Sequence, residues 1–401
     1  MPGVTSGNVF SSGFGNNTIM FLIFSCLLTF GLKTTGVLRK FAVFFIDNPI
    51  SKKSSKAFIG MYFLSMLILG SFIAPTTLFM LYFGIAEEIF ELLGLRIGDK
   101  LARNMMVGTG FYASISCAMT PIAHTFPIMA LGYYEASTGM AIPYLTYMKY
   151  SIPIGLILAV LAYALLSFGI SNDYNFDRVR LTADNWNPIT GKFSLIVFIG
   201  VVIVWLITGV WPNTFAKLNA LGTAFPAIVG SLLLTITGCY DVTRGGITRG
   251  LREGIPWSAI FLCAATLALG SALKTPEFGI LTGISGFLTP ILTSAGTLGV
   301  LLIIVSLCVI LTNLISNIVT TTVSYNLIVP MLIAASGLFS PVVATILIGV
   351  CASLAYALPS SIAHIALAGS SGWASNKDML KYGSIMVVIS IIITTVIGAL
   401  L

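Results

Sequence analysis

Charge is what this chain has least of. Asp, Glu, Lys and Arg make up 8% of its 401 residues, where a soluble domain carries roughly 25%. Mean hydropathy is +1.01 and 57% of residues are apolar, which excludes an ordinary water-soluble domain. The six cysteines are scattered through apolar stretches and none forms a Cys-x-x-Cys pair, so neither a disulfide framework nor a metal site is indicated. The start, "MPGVTSGNVFSSGFGNN", has no basic region ahead of an apolar one, so no cleavable signal pattern is read there. The net charge of +7 is the number a nucleic-acid binder would show. Here the basic residues sit in short segments between apolar runs, as in the cytoplasmic loops of a membrane protein, so no nucleic-acid partner is expected. Histidine is scarcest, and its two copies, His124 and His364, both end the triplet Ile-Ala-His.

What the chain does have is apolar runs of spanning length. They fall near 17–35, 57–73, 76–95, 104–136, 141–170, 193–211, 219–238, 256–272, 296–315, 319–336, 340–370 and 379–401. The expected fold is therefore an all-α polytopic protein embedded in a lipid bilayer. Two pairs of runs have uncharged junctions: "A-P-T-T" at 74–77 and "S-N-I-V-T-T-T" at 316–322. Both read as tips of re-entrant hairpins, 57–95 and 296–336. Irregular backbone is tolerated at that depth only when protein or a water-filled cavity covers it. The charge count agrees. With both hairpins returning to their own side, 17 basic residues fall on one face and 3 on the other. The basic face is then cytoplasmic, and the expected location is a bacterial inner membrane.

The two long runs, 104–136 and 340–370, are interrupted by Pro, Ser, Thr and His at the two Ile-Ala-His segments. Each reads as a helix broken near the midplane. An order then repeats: a span, an amphipathic stretch ("TTGVLRKFAVFFIDN", "PEFGILTGISGFLTPI"), a hairpin, a broken helix and a final span. The expected organisation is a first repeat over 1–170, a cytoplasmic loop over 171–192 and a second repeat over 193–401. The hairpins open to opposite faces, so the repeats are inverted. Inverted repeats with discontinuous helices mark secondary transporters, with the binding site at the midplane. Two extra spans precede the second unit only. This leads to the expectation that about two N-terminal helices are missing from the first.

These features, together with "IPWSAIFLCAATLALGSALKTPEFG" (255–279), "SYNLIVPML" and "ALPSS…GSSGW…KDMLKYG", resemble the divalent anion:sodium symporter family over nearly the whole chain. The resemblance implies an elevator-type, homodimeric carrier of dicarboxylates, citrate or sulfate. It also implies two sodium sites. The second would map onto Thr312, Ser316, Asn317 and Ser361, which offer oxygens. The first would map onto Gly70, Ala74, Pro75 and Ala123, whose side chains offer none. Sodium is thus expected as coupling ion, with weaker coupling than the family norm. The family's Ser-Asn-Thr tip triplet reads Ser316-Asn317-Ile318 at one tip and Ala74-Pro75-Thr76 at the other. Its Pro-Pro-Asn segments are replaced by Ile-Ala-His.

For a small anionic substrate, hairpin tips offer free N–H groups at helix N-termini, with Pro75 suited to a first turn. Candidate substrate-binding residues are Thr76, Thr77, Ser316, Asn317, Thr320, His124, His364 and Ser361. No Arg or Lys lies at either tip in the sequence. The histidines either pair with a carboxylate and carry a coupled proton or bridge unpaired backbone at the breaks, and both readings stay open. Thr120, Ser360 and Ser361 either cap half-helices or touch substrate. Thr321, Thr322, Ser324 and Asn326 read as packing residues. Glu87, Glu88 and Glu91 read as a solvated or paired hairpin end. No catalytic residue is assigned. The rivals are an inorganic oxyanion carrier or exchanger, a membrane enzyme built on Ser361 and His364, and a non-transporting remnant.

Overall fold

The computed structural model describes residues 7, 10, 11, 13–183, 186–211, 213–240, 246–273, 280–334 and 337–400, leaving aside the side chains of 259, 262, 266 and 269–293. Among these residues there are helices and no strands. Arg244 and Lys274 of the charge argument lie outside them. So does the start of the second amphipathic stretch, and the side chains of its remainder are not described.

The chain runs α1 (Asn17–Thr34), α2 (Val37–Ile46), α3 (Ser55–Gly70), α4 (Pro75–Leu92), α5 (Lys100–Met119), α6 (Thr125–Thr138) and α7 (Tyr144–Ser167). Then come α8 (Pro188–Val210) and α9 (Phe225–Ile236). The remainder is α10 (Trp257–Leu273), α11 (Ile280–Leu314), α12 (Asn317–Ala334), α13 (Pro341–Cys351), α14 (Ala363–Ser370) and α15 (Asn376–Leu400). Gly296, at φ 65°, breaks the helical path inside α11, a backbone state that glycine reaches without Cβ strain. Six helices among the described residues are long and apolar enough to cross a bilayer. The molecule is an all-α polytopic membrane protein.

Local sequence explains the helix starts. Asn16 accepts from Thr18 N at 2.8 Å to open α1, and Ser54 accepts from Ala57 N at 3.1 Å to open α3. Asn187 and Ser340 do the same for α8 and α13, each followed by a proline in the first turn. These side chains supply acceptors to N–H groups that have no partner within the helix. Pro75 sits at the first turn of α4, as its missing N–H suits.

Helices α3 and α4 form one hairpin, with residues 71–74 as its tip. Helices α11 and α12 form the other, and here the structure differs from expectation. Its tip is only residues 315–316. Thr320, Thr321 and Thr322 lie inside α12. Thr320 and Thr321 donate to the carbonyls four residues back, at 3.2 and 2.8 Å. Once bonded that way, Ser and Thr fit a helix that lacks water, so an uncharged Ser/Thr-rich run did not mark irregular backbone. The two broken helices are α5–α6, interrupted at 120–124, and α13–α14, interrupted at 352–362. They cross: α6 packs on α13, and α14 packs on α5. Helices α1, α8 and α9 pack together to one side.

Candidate functional site

The two breaks meet where the broken helices cross. His124 is the residue before α6, in extended conformation (φ −139°, ψ 142°). His364 is not in its break but in the first turn of α14. The triplets thus sit in different backbone settings despite identical sequence. Both imidazoles are buried, His124 at 6% and His364 at 0% exposure.

Each histidine takes a serine from the other half of the chain. His124 Nδ1 lies 3.0 Å from Ser353 Oγ, and His364 Nε2 lies 2.8 Å from Ser114 Oγ. The serine hydroxyls are committed elsewhere: Ser353 donates to Gly349 O at 3.0 Å and Ser114 to Ala355 O at 2.7 Å. A hydroxyl has one proton, so with the serine protons on those carbonyls the ring nitrogens are the donors in these pairs; the Cys117 thiol is a second neighbour of His124 Nδ1, at 3.3 Å. This network assigns the tautomers. Neutral His124 carries its proton on Nδ1 and leaves Nε2 bare. Neutral His364 carries it on Nε2 and leaves Nδ1 bare, and that atom is buried with no partner. A bare ring nitrogen cannot donate to a carboxylate. After taking a proton it can, and the ring then also carries positive charge. The arrangement can therefore link anion binding to proton uptake.

Hairpin tips are bonded to the breaks beside them. Thr120 Oγ1 donates to Ser71 O at the first tip. At the second, Thr312 Oγ1 donates to Ala352 O at 2.7 Å. Asn313 donates to Leu354 O at 2.9 Å and accepts from the Tyr356 and Ala357 amides at 2.7 and 3.0 Å. Ser360 reaches Leu314 O at 3.2 Å. Ser361 Oγ stays within its own turn, on Leu358 O at 2.5 Å, and His364 is bonded to Ser114 rather than to Ser361.

A cavity of about 400 Å³ joins the first tip to the first break. Thr76, Thr77 and His124 line it, together with Ile362 of the second break and Lys33 and Glu253. Of the predicted substrate residues the structure thus brings three together here. Ser316, Asn317, Thr320, Ser361 and His364 do not line this cavity. Asn317 begins α12 at 1% exposure, and both polar atoms of its side chain lack a hydrogen-bond partner. An orphaned buried amide calls for an explanation.

Residues 1–349 match the family of citrate transporters. The chain belongs to that family. This citrate transporter family member is 24% identical to an uncharacterized transporter of Methanocaldococcus jannaschii over 338 residues, covering 84% of this chain and 71% of that one. Its fold is similar to the crystal structure of the YdaH transporter of Alcanivorax borkumensis, described as having an unusual topology. The TM-score is 0.64 at 13% identity, over 98% of this chain and 86% of that one. The chain is a membrane transporter by family.

Ser114, Ser353, Asn313 and Lys33 are functional candidates of this citrate transporter family member that local motifs did not mark. One signal was available. Each histidine has a serine ten or eleven positions before it, Ser114 before His124 and Ser353 before His364, and each serine serves the other histidine.

Proposed function

We propose that the chain is a secondary active carrier of small di- or tricarboxylates, citrate and succinate among them. In this reading, the anion binds in the cavity between the first hairpin tip and the first break. The observation that carries it is the placing of a buried imidazole, held at Nδ1, in the wall of the cavity that Thr76 and Thr77 also line. Thr76 and Thr77 stand in the first turn of α4, where free N–H groups and the helix dipole attract carboxylate oxygens. A proton on His124 Nε2, and a second on His364 Nδ1, would balance carboxylate charge in a medium where net charge is costly.

Sodium is the other coupling ion in this proposal. The orphaned Asn317 carbonyl oxygen at the second tip suits a hard cation, which prefers oxygen ligands. Thr312 and Ser316 add oxygens nearby in sequence and Ser361 adds one from the second break, although the hydroxyl protons of Thr312 and Ser361 are committed to Ala352 O and Leu358 O. Inverted repeats, an elevator movement, a homodimer and a basic cytoplasmic face belong to the same reading. The test is uptake of labelled citrate and succinate into proteoliposomes under a sodium gradient or a proton gradient, imposed separately. Proton-driven uptake that loses its pH dependence in His124→Gln and His364→Gln is expected. Unchanged pH dependence in both variants overturns the proton role.

A further inference from the structure

The cavity wall holds a charge that the tip sequences did not predict. Lys33 stands in the last turn of α1, about forty residues ahead of the first tip in the chain. The fold returns it to the cavity that Thr76, Thr77 and His124 line. A second cavity of about 250 Å³ lies alongside, and Lys33 and Thr77 belong to both. The other ionised groups at these two cavities are already matched. Arg39 is paired with Glu88 at 2.6 Å, and Glu253 with Arg249 at 2.9 Å. Lys33 makes no ion pair and no hydrogen bond among the described residues. Lys33 is an exposed residue in the lining of both cavities, and a cation at the wall of a cavity draws anions toward it.

We propose that Lys33 is a carboxylate-binding residue of this cavity. The assignment rests on the carrier reading above and deepens it. Two carboxylates of one substrate would be taken by different elements. One would go to the N–H groups and hydroxyls at the start of α4, the other to the ammonium on α1. A monocarboxylate could satisfy only one of the two, so Lys33 would select for substrates with at least two carboxylates. The substrate would then be held by two elements that lie far apart in sequence, α1 and the start of α4.

Lys33 has a plainer role available. A cation in the last turn of a helix favours the helix dipole. That role would show in stability and not in substrate affinity. The experiment therefore measures KM and kcat for citrate and succinate uptake in proteoliposomes, together with the melting temperature in detergent, for the wild type, Lys33→Gln and Lys33→Arg. Lys33→Gln is expected to raise KM about tenfold, the scale of one lost hydrogen bond from a charged donor. kcat should stay within about twofold, and Lys33→Arg should restore most of the affinity. The wild-type advantage should shrink at high salt, since screening weakens an exposed charge. A Lys33→Gln protein with wild-type KM overturns the assignment, whether or not its melting temperature falls. A wild type that takes up neither citrate nor succinate overturns the carrier reading instead, and with it the substrate class given to Lys33.

Discussion

The two breaks start from the same triplet and are closed in different ways. At the first, five residues (120–124) separate the half-helices. The carbonyls at the end of α5 are met by α7: Tyr147 donates to Ala118 O at 2.8 Å and Ser151 to Met119 O at 2.7 Å. At the second, eleven residues (352–362) intervene, and the hairpin itself seals the gap through Thr312 and Asn313. The first break borders a cavity and is held to its hairpin tip by the Thr120 bond to Ser71 O and a long Ser71 Oγ–Met119 Sδ contact at 3.9 Å. The second is tied to its hairpin by several. Unpaired backbone at this depth must be satisfied by protein. The comparison shows two solutions, one leaving room for a ligand and one spending the hairpin's polar groups on the chain.

The sharpest way to break that comparison is at two glycines. A Cβ on Gly383 of α15 would stand 2.6 Å from Ala357 Cα, in the backbone of the second break, whereas one on Gly155 of α7 would meet the flexible Met119 side chain at 2.3 Å. Backbone cannot move aside as a methionine can. Gly383→Ala is expected to cost about 3 kcal/mol or more and Gly155→Ala about 1 kcal/mol, read as thermal melting in detergent. Equal losses would show that the second break is as pliable as the first.

Next in size is Asn313→Ala, which strands two amides and a carbonyl. At about 1–3 kcal/mol for each unsatisfied buried group, the loss should reach about 3 kcal/mol. Ser151→Ala at the first break forfeits one bond and should cost about 1 kcal/mol. Denaturation of both variants in one detergent checks the order, and the reverse order would defeat the account of how the second break is sealed.

The histidines come third. His124→Gln should lower acid-stimulated uptake about tenfold, by loss of a charged donor, with little change at alkaline pH. His364→Gln should flatten the same profile while leaving KM nearer the wild-type value, because its ring does not line the cavity. KM measured across pH separates the two; identical KM shifts would mean that both rings act at one place.

The smallest effect concerns the segment between α7 and α8, which is bonded to residues at the end of α2 and the start of α3. Ser55 Oγ donates to Ser171 O at 2.6 Å, Phe58 stacks on Phe176 at 4.3 Å and Asp47 accepts from Leu181 N at 3.0 Å. Burial pushes the Asp47 carboxyl up, but the Lys52 and Leu181 hydrogen bonds and the Lys52 and Arg180 charges outweigh it and hold it below its ordinary range. A carboxyl depressed by folding adds stability above its unfolded-state pKa and loses it as pH falls through the folded-state value. Asp47→Asn should therefore cost below about 1 kcal/mol near neutrality and nothing in strong acid. Protease nicking of 171–187 at two pH values reads this out.

The helices were legible because spanning length and uncharged junctions are local properties. The second tip was misplaced because Thr320 and Thr321 satisfy their hydroxyls on their own helix, which leaves no mark in composition. Thr76, Thr77 and His124 could be named from the tip and the break. The partners of the histidines could not, since Ser353 and Ser114 are 229 and 250 positions away and nothing near them signals a bond. Lys33, at the end of the 17–35 run, was counted only as one of the basic residues of the cytoplasmic face. Only the return of α1 to the first tip gives it another meaning.

The crossed serine–histidine pairs also bear on how the molecule is made. When His124 is added to the growing chain, its partner serine is still 229 residues from being synthesised. At 5–20 residues per second that interval is roughly ten to fifty seconds. Throughout it, the newly inserted first half holds a polar gap open to lipid or to an insertion factor. The nascent chain is most exposed to misassembly in that window, and it closes only when α13 arrives.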